Sequence, residues 1–343
     1  MRRHSAQLLD ARRLRATCFD LFGRPPLAAE RAEWLGKPLA ELVAAHLGGE
    51  AFWSAWLEEQ LYYFLLVNNF RPQAESVLEL PARLAAGTVD PKDALWRIAL
   101  SASFDQRNPG ADTFVTVVME QLAGMVVQKN TRELEIGKAA YDGRPGLFLG
   151  VKVQSQSDIV AAVVDDRRFA EHLLTREHQR LCRTEPERDA LRDEVARFRK
   201  APSELVAIYS EWLLGPEWEL RLERRRPLSN RAWVKALFVA LFDRLPGEDE
   251  GRRMRDALDG LSDPRPLRAL LTRLLLNGPE TPLPTEAELG DESGWVRALF
   301  QRLLGREATA EEARVFVHTL RTPDCTPKTL LLALLTSTAF QED

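Results

Sequence analysis

The run Trp295-Val296-Arg297-Ala298-Leu299-Phe300-Gln301-Arg302-Leu303-Leu304, closed by Gly305-Arg306, decides the fold. Its apolar residues recur at steps of three and four, which puts them on one helical face and predicts that this face meets a core. Gly305 stops the helix, because glycine adopts the left-handed backbone of a helix C-terminus without a Cβ penalty. Thr309-Ala310-Glu311-Glu312 then reads as a capping box, in which the threonine hydroxyl accepts from a first-turn amide and Glu312 reaches back. The helix that follows is expected to turn Val315, Phe316 and Leu320 inward. Thr326-Pro327 opens another with a capping hydroxyl and a proline at the first helical position; Leu330, Leu331, Leu334 and Leu335 form its apolar side.

The same grammar appears earlier in the chain. Trp233, Val234, Phe238, Leu241 and Phe242 stand 62 residues before Trp295, Val296, Phe300, Leu303 and Leu304, and Arg244 keeps that offset to Arg306. Such register points to an internal repeat. Leu14, Cys18, Leu21, Phe22 and Arg24 match near the N-terminus, although the next apolar block, 38–46, follows sooner. His178-Gln179-Arg180-Leu181-Cys182-Arg183 is a looser fourth copy, with Arg183 as its turn arginine and Glu177 where the others are apolar. Guanidinium groups suit phosphates and carboxylates. A binding site seldom needs one copy per unit, however, so Arg24, Arg244 and Arg306 are read as structural. Each would hold carbonyls at the end of its own helix or an acidic residue of the next.

Between the first and fourth copies the pattern changes. The segment 52–70 is an aromatic-rich helix whose Phe52, Trp53, Trp56, Tyr62, Tyr63 and Phe64 are expected in the core. Asp90-Pro91 caps a helix, 112–127 is helical by its length, and Tyr141-Asp142-Gly143-Arg144-Pro145-Gly146 is a glycine-rich loop. The expected fold is all-α, with repeated helix-turn-helix units forming a multi-helix array or bundle around an irregular central insert. Its segments are 1–106 (N-terminal, with the aromatic helix), 107–157 (the insert), 158–226 (the loose copy), 227–280 and 281–343.

The bulk numbers exclude several classes. With 343 residues, 45% hydrophobic and 29% charged, the chain can bury a core without staples. A net charge of -4 speaks against a nucleic-acid partner bound through a summed positive field. The longest apolar stretches are too short for a membrane span, and the basic start, Met1-Arg2-Arg3-His4, lacks the apolar run of a signal peptide. A cytoplasmic chain is expected, or an exported one if a leader has been removed. Cys18, Cys182 and Cys325 are few and far apart, as buried thiols in a reducing compartment would be. The basic run 221–226 reads as a solvated helix end.

Signatures of chemistry are missing. His172 and His178 are six apart and so on different helix faces, which leaves no HExxH-like pair. Gly137-Lys138-Ala139 fails as a phosphate loop, because Arg132 replaces the first glycine and Ala139 the hydroxyl; G-x-S-x-G is absent. No catalytic residue, metal ligand or cofactor is expected. The best place for a ligand is the insert, with Asn108, Asp112, Glu120, Tyr141 and Asp142 as candidate binding residues, since carboxylates whose pKa values are pushed apart can do acid-base work.

Phe19-Asp20-Leu21-Phe22-Gly23-Arg24-Pro25-Pro26, with Glu30, Trp34 and Phe52-Trp53-x-x-Trp56, resembles the opening of a planctomycete-type domain of unknown function. The likeness extends through Arg107-Asn108-Pro109 to Asp165-Asp166-Arg167-Arg168-Phe169. Many members of that family carry a covalent haem motif, C-x-x-C-H, which is absent here, so the resemblance implies no haem function. Leu303-Leu304-Gly305-Arg306 and Leu334-Leu335-Thr336-Ser337-Thr338-Ala339-Phe340 resemble bacterial helical modules appended to surface proteins, which imply interaction rather than catalysis. The expected function is a non-catalytic helical interaction or scaffold protein that binds another protein. The alternative is an enzyme with an acidic site in 107–157. No oligomeric state follows.

Overall fold

A computed structural model describes residues 7–65, 74–284 and 289–342, apart from the side chains of residues 62, 63 and 65. The chain is all-α: 69% is helical, with 21 α-helices and one two-stranded hairpin among the described residues. None of these helices is long and apolar enough to cross a membrane. Two compact units emerge. One joins the described residues up to Leu42 with those from Leu222 onward, and the other is Val43–Arg221.

In the first unit, helices Ala11–Phe22, Asn230–Phe242 and Glu292–Leu304 each end on a left-handed residue, Gly23, Asp243 or Gly305. Four residues further on, Leu27, Gly247 and Thr309 are the N-caps of Ala28–Trp34, Glu248–Asp259 and Ala310–Leu320. Asp243 departs from the glycine of the other two, and its carboxylate accepts from the Ala28 amide at 2.7 Å, in the first turn of Ala28–Trp34. The core gathers Trp233, Leu237, Phe238, Phe300, Leu303, Leu335 and Phe340; side chains so buried contribute roughly 2 kcal/mol each by transfer from water. Val315 differs from expectation. Its helix buries no residue completely, and Val315 is 45% exposed while Phe316 and Leu320 lean on the core. A helix lying on the rim can bury only the narrow stripe that faces inward.

In the second unit, helix Glu50–Leu65 buries Phe52, Trp53 and Trp56. Phe52 meets the Tyr209 ring edge-on at 5.6 Å, and the Trp56 indole donates to the Tyr209 hydroxyl at 3.1 Å. The side chains of Tyr62 and Tyr63 and the residues 66–70 of the expected aromatic helix lie outside the described set. Helix Arg167–Cys182 packs against Arg188–Lys200, Leu205–Leu213 and Pro216–Arg221. The latter ends in Arg221, which is 1% exposed with its guanidinium 5.6 Å from the Trp218 ring. The start of the basic run is therefore packed rather than solvated, because an arginine stem and planar head can bury against an aromatic face.

The central stretch holds helix Gly110–Val117 running into a π turn, Val118–Leu122, and helix Thr131–Tyr141. Gly137 lets these two helices approach, since a Cβ there would stand 2.6 Å from Val115 Cγ1. A hairpin then pairs Gly146–Phe148 with Val151–Val153 through Leu149 (φ 50°) and Gly150 (φ 82°). Two positive φ values in a two-residue loop match the right-handed twist of paired strands. Three-residue strands are too short to show alternation in a sequence, so the loop reading missed the hairpin.

Candidate functional site

In three turns the arginine binds forward. Arg24 meets Glu30 at 2.6 Å, Arg244 meets Glu250 at 3.0 Å and Arg306 meets Glu312 at 2.7 Å, always six residues on. Each glutamate also accepts from the amide of its helix N-cap, Leu27, Gly247 or Thr309, at 2.8, 2.9 and 2.8 Å. Each arginine donates to the carbonyl of the residue after it, Pro25, Leu245 or Glu307, rather than to the end of the preceding helix. Its guanidinium lies 5.1–5.2 Å from a phenylalanine ring: Phe22, Phe238 or Phe300. Arg306 holds Glu312 down to about 2. All three arginines are spent on joining one helix to the next.

The fourth turn has the same backbone and different chemistry. Helix Arg167–Cys182 ends on left-handed Arg183 (φ 60°), and Glu187 caps the next helix four residues later. Arg183 thus occupies the place of Gly23, Asp243 and Gly305, not that of the turn arginines. The left-handed residue sets the register, so the arginine position is Thr184 and the glutamate position is Ala190. The ion pair is gone.

A cleft of about 180 Å³ opens there, lined among others by His178, Cys182, Pro186, Ala190, Glu194, Trp212 and Glu217. His178 and Cys182 are four apart on one helix face. Both are buried, and Glu217 comes from the first turn of Pro216–Arg221. One potential ligand atom from each residue lies within 4.8 Å of the other two. His178 Nδ1 is 3.1 Å from the Thr184 carbonyl, and its Nε2 is 3.0 Å from a Glu217 carboxylate oxygen. The ring stands edge-on to Trp212 at 5.2 Å. The Trp212 indole donates to Glu194 Oε1 at 2.8 Å, while Glu194 Oε2 is buried with no hydrogen-bond partner. Burial pushes the Glu194 carboxyl up, against the indole's hydrogen bond.

Behind this cluster lies a buried carboxylate. Glu177, 1% exposed, accepts from Gln60 at 3.0 Å, from Arg180 at 2.9 Å and from the Tyr209 hydroxyl. Arg176 donates to Gln60 and stands 3.4 Å from Glu177. Burial acts to raise Glu177, but Arg180 and Arg176 outweigh it, helped by Tyr209 and Gln60, and bring it to about 2.

Four of the five candidate residues of the insert answer to separate partners. Asn108 is buried and donates to the Phe104 carbonyl at 3.0 Å, closing helix Ala102–Arg107. Asp112 is exposed and pairs with Lys138, which Glu135 also holds. Asp142 pairs with Arg144, and Tyr141 packs its ring 5.4 Å from Phe114. Glu120 is half-buried in the π turn. The residues missed by sequence reasoning are His178, Cys182 and Glu217. The four-residue spacing of the first two was a visible signal; the spacing from His172 obscured it. No family model, no curated protein and no solved structure matches the chain.

Proposed function

We propose that this chain is a non-catalytic helical scaffold that binds another protein. The observation that carries the proposal is helix Arg265–Leu276, whose two faces are of opposite use. Arg268, Thr272 and Leu276 bury one face at four-residue spacing. On the other, Leu270 and Leu274 are 53% and 59% exposed, one helical turn apart, with Pro266 exposed one turn before them. Single exposed leucines are ordinary, but an apolar row on one helix face favours a partner surface. An amphipathic helix of the partner would meet such a row at matching spacing. The resemblance of the last unit to interaction modules supports the same role.

The test is a photo-crosslinking residue at the exposed position 273 in the full chain, in extract from the source organism, with and without Leu270→Asp/Leu274→Asp in the same chain. The expected result is one stoichiometric crosslinked protein, lost when the chain that bears the crosslinker also carries the double substitution. Recovery of no stoichiometric partner would overturn the proposal, as would unchanged capture by a double variant that retains its helical content.

A further inference from the structure

We infer that His178, Cys182 and Glu217 form a binding site for a divalent transition-metal ion of the zinc class. The hydrogen bonding of His178 carries the inference. The Thr184 carbonyl has no proton to give, so Nδ1 must be the donor in that 3.1 Å contact. This is the outer-shell arrangement that fixes a metal-bound imidazole, with Nε2 left to present its lone pair. Nε2 then faces a carboxylate oxygen at 3.0 Å. Two lone pairs cannot face each other at that distance without a positive charge between them. What lies between them is a proton, on Nε2 or on the carboxyl, or a metal cation; the same Glu217 oxygen also accepts from the Thr184 hydroxyl at 3.3 Å.

Cys182 is the argument for a cation. An imidazolium paired with Glu217 needs no sulfur, yet Sγ lies within 4.8 Å of both other donor atoms. Imidazole, thiolate and carboxylate together suit zinc and its neighbours and not magnesium or calcium, which prefer oxygen alone. Around them, Glu187, Glu194 and Glu211 also line the cleft, though Glu211 is taken by Arg197. Glu194 Oε2, buried and unpartnered, is a further acceptor beside the site. The cleft, about 180 Å³, has room for an ion and its waters. Binding balances by proton release: the Cys182 thiol loses its proton to solvent, the metal–sulfur bond forms, and any proton on His178 Nε2 leaves with it.

The loss of the turn ion pair explains why the site stands here. Phe238 and Phe300 occupy the position of His178 in two other turns, where an arginine–glutamate pair joins the helices. Here Ala190 stands at the glutamate position and lines the cleft, and Thr184 supplies the carbonyl that orients the imidazole.

The experiment is titration of the full-length, metal-stripped, reduced protein with Co²⁺, followed by thiolate-to-metal charge-transfer absorption, and with Zn²⁺ by calorimetry in two buffers of different ionisation enthalpy. One ion per chain is expected, with a charge-transfer band and net proton release. Cys182→Ser should abolish the band, His178→Gln should abolish binding, and Glu217→Gln should weaken it about tenfold or more, while Cys325→Ser changes nothing. Glu217 is half exposed, so its variant keeps the test valid where a buried substitution fails to fold. Absence of the band in the wild-type protein, with a His178 imidazolium seen by NMR, would overturn the inference. A band unchanged in the Glu217 and Cys182 variants would overturn it as well.

Discussion

Three turns of this protein and the fourth share one backbone path and differ in what fills it. In each, a helix ends on a left-handed residue and the next begins four residues later. In three, an arginine and a glutamate six residues apart tie the two helices and stack on phenylalanine. In the fourth, those positions hold Thr184 and Ala190, and the space beside them is bordered by His178, Cys182 and Glu217. The difference teaches that backbone geometry and side-chain role separate: the turn persists without its ion pair, and other side chains gather beside it.

The largest effect should come from the carboxylate behind the fourth turn. Glu177→Ala leaves Arg176, Arg180, Gln60 and Tyr209 without their common acceptor and should cost about 3–5 kcal/mol, read as a fall in the denaturation midpoint. Acid should do the same reversibly. With a folded value of about 2, against roughly 4.3 for a free glutamate, its contribution is present above the unfolded value and lost as pH falls through the folded one. His172, lowered to about 4 by burial and by Arg176, adds an earlier loss that begins as pH drops below about 6.5. Stability measured against pH should therefore decline in two stages, and His172→Gln should remove the first.

Next comes the left-handed residue itself. A Cβ at Gly305 would stand 2.8 Å from Arg15 Cδ, and its φ of 64° is strained for alanine. Gly305→Ala should cost roughly 2 kcal/mol, whereas Asp243→Gly should cost less, losing the bond to the Ala28 amide and the 3.8 Å ion pair with Arg31. Among the ion pairs, burial sets the ranking. The side chains of Arg24 and Glu30 are 12% and 23% exposed, against 42% and 41% for Arg244 and Glu250. Arg24→Ala should cost about 2 kcal/mol and Arg244→Ala under about 1 kcal/mol, checked by chemical denaturation.

The smallest change in stability should come from the variant that most sharpens the contrast. Thr184→Arg/Ala190→Glu rebuilds the missing pair across the fourth turn. It should raise stability by no more than about 1 kcal/mol, yet it should abolish cobalt binding by filling the cleft.

Much of the frame was legible in the chain. The 3.6-residue periodicity of 295–304, the capping box at Thr309 and the 62-residue register depend on neighbours close in sequence, and the structure has helices where they point. Other motif residues sit at such local places: Glu30 answers Arg24, Trp34 is buried, and Asp166 caps its helix by accepting from the Arg168 amide. What the chain hid was the register of the turn at Arg183. Matching arginine to arginine put Arg183 one position out, because a non-glycine residue in the left-handed conformation has no compositional mark. Val315, Arg221 and the hairpin were missed for related reasons: which face lies on a rim, which stem finds an aromatic ring and which short strands pair are settled by neighbours distant in sequence.

By itself, the sequence determined the all-helical class, the positions where helices stop and the residues able to cap them, since those preferences arise within a few bonds of each residue. Only the tertiary structure decided which side chains meet at the fourth turn. His178 and Cys182 share a helix face, but Glu217 reaches them only because helix Pro216–Arg221 packs back on Arg167–Cys182. A site made of donors from separate helices exists as a property of packing, not of spacing.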